Sequence, residues 1–293
     1  MRGLVTTQVI IAIKCDPELK PVFVGWPQHM RRIAILVIAA VNQPIYVHYI
    51  KTYWTDLIRY LSTEKPHIDV FLLFEHGTKV EVLKDLEANI VEDVTSDFSK
   101  LCDPQYHSCM IPGVLSKTIY SLQLLHDKYD VFFRTNLSSL IKVSSFDSYV
   151  QTKKDICYSG AWVWENALRT DLLHHKKIGF GKSIKTLSEL DSYKGNTFIS
   201  GSGYFLNSKE ANSLVRRKKS IRYDIIDDVS VGLMFSEYER IPGFSVNIKP
   251  DKPVEEIVDV LRETKACHIR LEHFPLSLAD ILWAKLGTDR IWR

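Results

Sequence analysis

Two adjacent carboxylates, Asp227 and Asp228, follow the apolar pair Ile225-Ile226 and precede a helical pattern in Val229, Gly232, Leu233 and Phe235. A fixed carboxylate within hydrogen-bond reach of a hydroxyl can take its proton, so general-base chemistry is what this pair could do. The plainer role is a helix start with an acidic first turn, which Asp227 alone would satisfy, leaving Asp228 for something else. A second cluster, Arg134-Thr135-Asn136, closes the run Tyr129-Asp130-Val131-Phe132-Phe133. An arginine fork can pair with phosphate oxygens, whereas the bland alternative is that Arg134 and Asn136 cap and pin a strand end. A third, Gly201-Ser202-Gly203, interrupts the strand-like residues 197–206. Glycines there let a ligand or another backbone approach closely.

The elements that must hold these residues are legible around them. Residues 129–139 pass from an apolar run into a polar, turn-prone cluster, as a buried strand does at the carboxyl edge of an open α/β sheet, where ligands bind. Pro112-Gly113 followed by Val114, Leu115, Ile119, Leu122 and Leu125 predicts the preceding helix, which carries Lys117. Residues 33–40 (IAILVIAA) suit a central strand buried on both faces. After Asn42-Gln43-Pro44, apolar or aromatic residues at Ile45, Tyr49, Tyr53, Leu57 and Leu61 predict a long amphipathic helix ending at Lys65-Pro66. Residues 69–74 and 90–94 read as strands and 80–86 as a short helix. This alternation predicts an α/β fold with a mostly parallel sheet flanked by helices.

Beyond Asn136 the texture changes. Residues 156–164 are β-rich, with Trp162 and Trp164 on one face if extended, placed either to stack on a sugar or to fill the core. Residues 168–194 are polar, basic and poorly periodic, the pattern of a long excursion over the sheet edge. Ser208 is expected to cap a helix carrying Ala211, Leu214 and Val215, which runs out into Arg216-Arg217-Lys218-Lys219, a solvated helix end rather than a nucleic-acid patch. The tail holds a strand at 244–248, a short apolar segment at 254–261, the run Ala266-Cys267-His268-Ile269-Arg270-Leu271, and a closing helix at 276–286.

Bulk properties narrow the classes. The 293 residues are 45% hydrophobic and 25% charged, with a formal charge of +3, ordinary globular values that favour neither disorder nor nucleic acid. No stretch reaches the roughly twenty apolar residues of a membrane-spanning helix. The weakly apolar start, interrupted by Lys14, Asp16, Glu18 and Lys20, does not read as a signal peptide. Residues 1–29 are expected to be an extension ahead of one compact domain at 30–293. Five scattered cysteines, none in a CxxC pair, fit a reducing compartment, so a cytoplasmic location is expected. Cys102, His107 and Cys109 invite a zinc reading but lack a second ligand pair; incidental thiols in a loop account for them better. Neither GxGxxG nor a P-loop follows any strand.

The order and spacing of the three clusters resemble the GT-A class of nucleotide-sugar glycosyltransferases. ISGSGYFL followed by IDDVSVG is similar to the glycine-rich strand and the Asp-Asp-Val-x-x-Gly motif of fringe and β-1,3-galactosyltransferase-like families. The chain also resembles small glycosyltransferases of large DNA viruses and bacterial polysaccharide loci. The resemblance, over about residues 30 to 270, implies a GT-A-like domain with a smaller mixed C-terminal acceptor-side part. It implies transfer from a nucleotide-diphosphate sugar, UDP favoured, to a carbohydrate hydroxyl, with inversion and Asp228 as base. Such enzymes usually hold Mn²⁺ or Mg²⁺ on Asp-x-Asp, where this chain has Arg134-Thr135-Asn136, and the one nearby carboxylate, Asp130, begins the strand. No metal ligand is therefore assigned. The expectation is that Arg134, helped by Lys117, His268 or Arg270, partly replaces the metal on the diphosphate; His268 as a metal ligand or a structural histidine is the alternative. A sugar nucleotidyltransferase and an inactive carbohydrate- or nucleotide-binding protein on the same fold are the competing readings.

Overall fold

The computed structural model describes residues 30–75, 89–93, 110–165, 197–221 and 227–286. The expected N-terminal extension, the helix at 80–86, the Cys102–His107–Cys109 cluster and the excursion at 168–194 lie outside them.

Strand β1 (Ile33–Ile38) is buried along its whole length, as its unbroken apolar run requires. It pairs in parallel with β2 (Ile68–Glu75) on one side and with β4 (Val131–Asn136) on the other. Beyond β2 lies β3 (Asn89–Asp93), also parallel. The sheet continues past β4 through β9 (Gly203–Asn207), antiparallel, then β6 (Ser159–Gly160) and β10 (Glu239–Arg240), giving the order β10-β6-β9-β4-β1-β2-β3. The expected mostly parallel central sheet is therefore present. A smaller mixed sheet, the expected C-terminal part, joins β11 (Ser245–Ile248) and β12 (His268–Leu271) in parallel and β12 and β5 (Ser139–Ile141) antiparallel. A two-stranded ribbon pairs β7 (Val163–Glu165) with β8 (Thr197–Ile199).

Alternation along β1 splits the core. Ile33, Ile35 and Val37 face α1 (Pro44–Tyr49), α2 (Thr55–Glu64), α7 (Val254–Glu263) and α8 (Leu276–Leu286). Ala34, Leu36 and Ile38 face α3 (Met110–Leu125) and α5 (Ser208–Arg216). The first long helix forms as its spacing predicts, with Pro44 in its first turn, but Ile50–Trp54 winds as a π turn between α1 and α2. The extra residue shifts the buried stripe by one, so Tyr53 and Trp54 are both enclosed. Trp54 Nε1 donates to the Leu137 carbonyl at 2.9 Å and ties down the turn beyond β4.

Three local expectations are corrected. Residues 197–206 are not one interrupted strand: β8 belongs to the ribbon and β9 to the central sheet, so the chain changes sheet at the Ser200–Gly203 turn. The β-rich run at 156–164 is likewise divided between β6 and the start of β7. Helix α5 is capped by Asn207, not Ser208, through a reciprocal pair of bonds with Glu210. Among the described residues no helix is long and apolar enough to cross a membrane.

Candidate active site

The order of strands reverses between β1 and β4, which places a crevice at their carboxyl ends. Four elements meet there: the tip of β4, the β8–β9 turn, the start of α6 (Asp227–Gly232), and β12 of the small sheet. Lys117, only 2% exposed, reaches from α3 to donate to the Ala39 carbonyl just past β1, at 3.0 Å. Asn136, partly buried, ends β4 in register with Ile38.

Arg134 and Thr135 alternate across β4 and serve different partners. Arg134, in register with Tyr204 on β9, donates from Nη2 to Asp227 Oδ2 at 2.7 Å, and its guanidinium carbon lies 5.7 Å from the Tyr204 ring centre. The arginine fits because Gly201 has no side chain; a Cβ there would stand 2.7 Å from Arg134 Nη1. The fold pairs this guanidinium with Asp227 through Nη2, while its Nε is buried without a partner. At 3% exposure and paired with Asp227, Arg134 fixes Asp227 and the turn.

Asp228 is the acid left over. Its Oδ2 accepts the Gly201 N–H at 3.0 Å and its Oδ1 accepts the Val229 N–H at 2.9 Å. Burial of the carboxylate above all, and then the charge of Asp227, push its pKa up to about 7 against the opposing pull of those N–H groups and Arg134. The residue as a whole is only partly buried. A carboxyl group that changes charge near neutrality suits a general base.

The other face of β4 is braced by His268. Thr135 Oγ1 donates to the Ser202 carbonyl at 2.9 Å, so it accepts from His268 Nε2 at 3.0 Å, and Nδ1 accepts from Ser245 Oγ at 2.9 Å. This network assigns the Nε2-protonated tautomer. Burial, and then Arg270, hold the imidazole neutral, with its pKa down at about 3. Gly203 makes room for it, since a Cβ there would lie 3.0 Å from His268 Cε1. The ring is fully buried and both nitrogens are engaged, as in the structural alternative for His268.

The remaining expected residues are not all brought together. Asp130 lies at the amino end of β4, accepting the Arg32 N–H at 2.8 Å, roughly 20 Å along the strand from Asn136, and so takes no part in the site. Arg270 lies two residues beyond His268 on the same face of β12, partly buried. Among the described residues, Asp227 is paired with Arg134, His268 offers no open nitrogen, and no group of three or more His, Cys, Asp or Glu able to hold a metal occurs. Trp162 packs near His268, ring centres 6.1 Å apart, and is partly buried against the core; Trp164 is 49% exposed.

Sequence reasoning missed Ser139, Ser200 and Ser245. Ser200 Oγ meets Ser202 Oγ at 2.9 Å and shapes the turn. Ser139 is fully buried, yet its hydroxyl has no partner; a serine opening an otherwise apolar strand was the available signal.

No family model matches the sequence, and no curated protein resembles it. Several solved structures align with much of the chain. Mouse xyloside xylosyltransferase 1 aligns with 83% of this chain and 98% of its own, at 11% identity and a TM-score of 0.42. The galactosyltransferase LgtC aligns with 88% of this chain and 96% of its own, at 12% identity and a TM-score of 0.45. A glycosyltransferase involved in glycosylation of the major capsid of PBCV-1 aligns over 86% of this chain and 98% of its own, at 7% identity and a TM-score of 0.41. At these scores the likeness carries no residue role across to this chain.

Proposed function

We propose that this chain is a GT-A type glycosyltransferase, moving a sugar from a nucleotide-diphosphate donor, UDP favoured, to a carbohydrate hydroxyl. The observation that carries the reading is Asp228, a carboxyl group held by the Gly201 and Val229 N–H groups beside the carboxyl edge of a mostly parallel sheet, with its pKa raised by burial and by Asp227. In the proposed step the acceptor hydroxyl gives its proton to Asp228 as its oxygen bonds to the anomeric carbon. The bond from that carbon to the diphosphate breaks, and the nucleoside diphosphate leaves with the electron pair. Attack from the face opposite the leaving group inverts the anomeric centre. Arg134 and Asp227 act as positioning residues, holding Gly201 and the start of α6 so that Asp228 keeps its two backbone donors.

Two measurements test this. Thermal shifts with UDP, GDP, CDP and dTDP, each with and without Mn²⁺, should show stabilisation by one nucleotide through mass action. Asp228→Asn should then cut donor hydrolysis or transfer by about 10²- to 10⁴-fold while nucleotide stabilisation persists. The wild-type rate should rise with pH about a midpoint near 7, because the base works only when deprotonated. Turnover indifferent to Asp228→Asn would remove Asp228 as the base, and nucleotide binding without any turnover would transfer the assignment to a binding protein on this fold.

A further inference from the structure

Four buried side-chain nitrogen or oxygen atoms among the described residues have no hydrogen-bond partner: Tyr49 Oη, Arg134 Nε, Ser139 Oγ and Arg270 Nε. Two of them face one another. Ser139 and Arg270 are directly opposed in the antiparallel β5–β12 pair, so their side chains leave the small sheet on the same face. Asn247 is in register with Arg270 on the neighbouring β11 and is exposed, so this face opens to solvent on that flank. His268, on the same face two residues away, is neutral and committed to Thr135 and Ser245, and cannot balance the guanidinium charge.

A buried donor without an acceptor is costly, and a half-enclosed guanidinium more so, unless a ligand supplies the missing acceptor. The complement of a guanidinium fork beside a hydroxyl is a planar or tetrahedral oxyanion. We infer that Ser139 and Arg270 form the seat for an oxyanion group of the substrate, phosphate or carboxylate, next to the β4 tip. The seat stands on its own geometry. Its use for a donor diphosphate or for the carboxylate of an acidic acceptor sugar rests on the glycosyltransferase reading.

The test uses the full chain with pyrophosphate and with glucuronate as probes, read by thermal shift and calorimetric titration. Pyrophosphate or UDP binding identifies a diphosphate seat, glucuronate binding alone an acidic-sugar seat, and binding of none of them overturns the inference. Arg270→Met should weaken the bound anion at least about tenfold. It should also raise the melting temperature of the ligand-free protein, because an uncompensated buried donor is removed. A structural arginine would behave oppositely, so a lower melting temperature with unchanged anion affinity overturns the inference. Ser139→Ala, a smaller change, should weaken the anion in the same direction without unfolding the chain; unchanged affinity would remove Ser139 from the seat. Pyrophosphate binding needs no sugar transfer, so failure of the catalytic reading leaves this result intact.

Discussion

The two edges of the central sheet handle charge in opposite ways. At the amino edge ionic groups are mutually satisfied. Asp147, on α4 (Val143–Thr152), accepts from Lys65 at 2.7 Å and from Gln151 at 3.3 Å and meets His67 at 2.8 Å; Asp69 accepts from Tyr129 at 2.7 Å, and Asp130 from the Arg32 backbone at 2.8 Å. At the carboxyl edge Arg134, Ser139 and Arg270 keep buried atoms without partners, and Asp228 holds its proton up to about 7. Neither edge lacks polar groups; what differs is whether the fold itself completes them. An edge complete in itself is scaffold, and an edge that is incomplete is where a ligand has something to supply.

The largest expected effect breaks this contrast at its centre. Arg134→Met would leave Asp227 enclosed without its counter-charge, only 14% exposed at the side chain, and should cost about 3–5 kcal/mol in denaturant unfolding. It should also raise the Asp228 pKa further, because Arg134 is one of the groups that hold it down. The pH–rate midpoint would then move upward. A stability loss near zero would show that the pair is solvated, and the site would no longer be a closed electrostatic unit.

The next effect separates Asp147 from Asp228 by the sign of their pH dependence. Burial alone would raise Asp147, but the hydrogen bonds from His67 and Lys65 outweigh it and bring its pKa down to about 2. A carboxyl depressed by folding contributes stability that is complete above its unfolded pKa and is lost as pH falls through the folded value. Asp147→Asn should therefore cost on the order of 2 kcal/mol near neutrality and flatten the loss of stability in acid. Asp228 is raised by folding, so its ionisation works against the fold as pH rises through about 7. Asp228→Asn should thus stabilise the protein at alkaline pH and leave it nearly unchanged in mild acid. Urea midpoints against pH for both variants would check the pair, and parallel curves would defeat the comparison.

How much of this was written in the sequence follows from the range of each interaction. The burial of Ile33–Ile38 and the apolar spacing of the first helix are local, and both were legible. The π turn at Ile50–Trp54 answers to tertiary packing of Tyr53 and Trp54, which a four-residue repeat does not encode. Asp227 and Asp228 were visible as a pair, but their division of labour was not. It is settled by Arg134 and Gly201, 93 and 27 residues away respectively. The same holds for His268, read as a ligand candidate and found bonded to Thr135 across 133 residues. A residue's type told what chemistry was available; only the register of β4 against β9 told whether the fold had already used it.

The smallest predicted effect probes the complete edge where it is least charged. Because β9 runs antiparallel to β4, its end at Asn207 stands opposite Val131, at the amino edge. There Asn207 Oδ1 accepts the Glu210 N–H at 2.9 Å, its own N–H donates to Glu210 Oε2 at 3.0 Å, and Nδ2 donates to the Ile156 carbonyl at 2.7 Å. Asn207→Ala removes the side-chain half of this capping box and should cost about 1 kcal/mol in urea unfolding. Its nucleotide and pyrophosphate responses should stay at wild-type values, since every group it disturbs is bonded within the scaffold. Set beside Arg270→Met, expected to gain stability and lose the anion, it completes a double dissociation between the edges. If Asn207→Ala also weakened anion binding, β9 would be transmitting strain from one edge to the Gly201–Gly203 turn, and the edges would have to be treated as one coupled device.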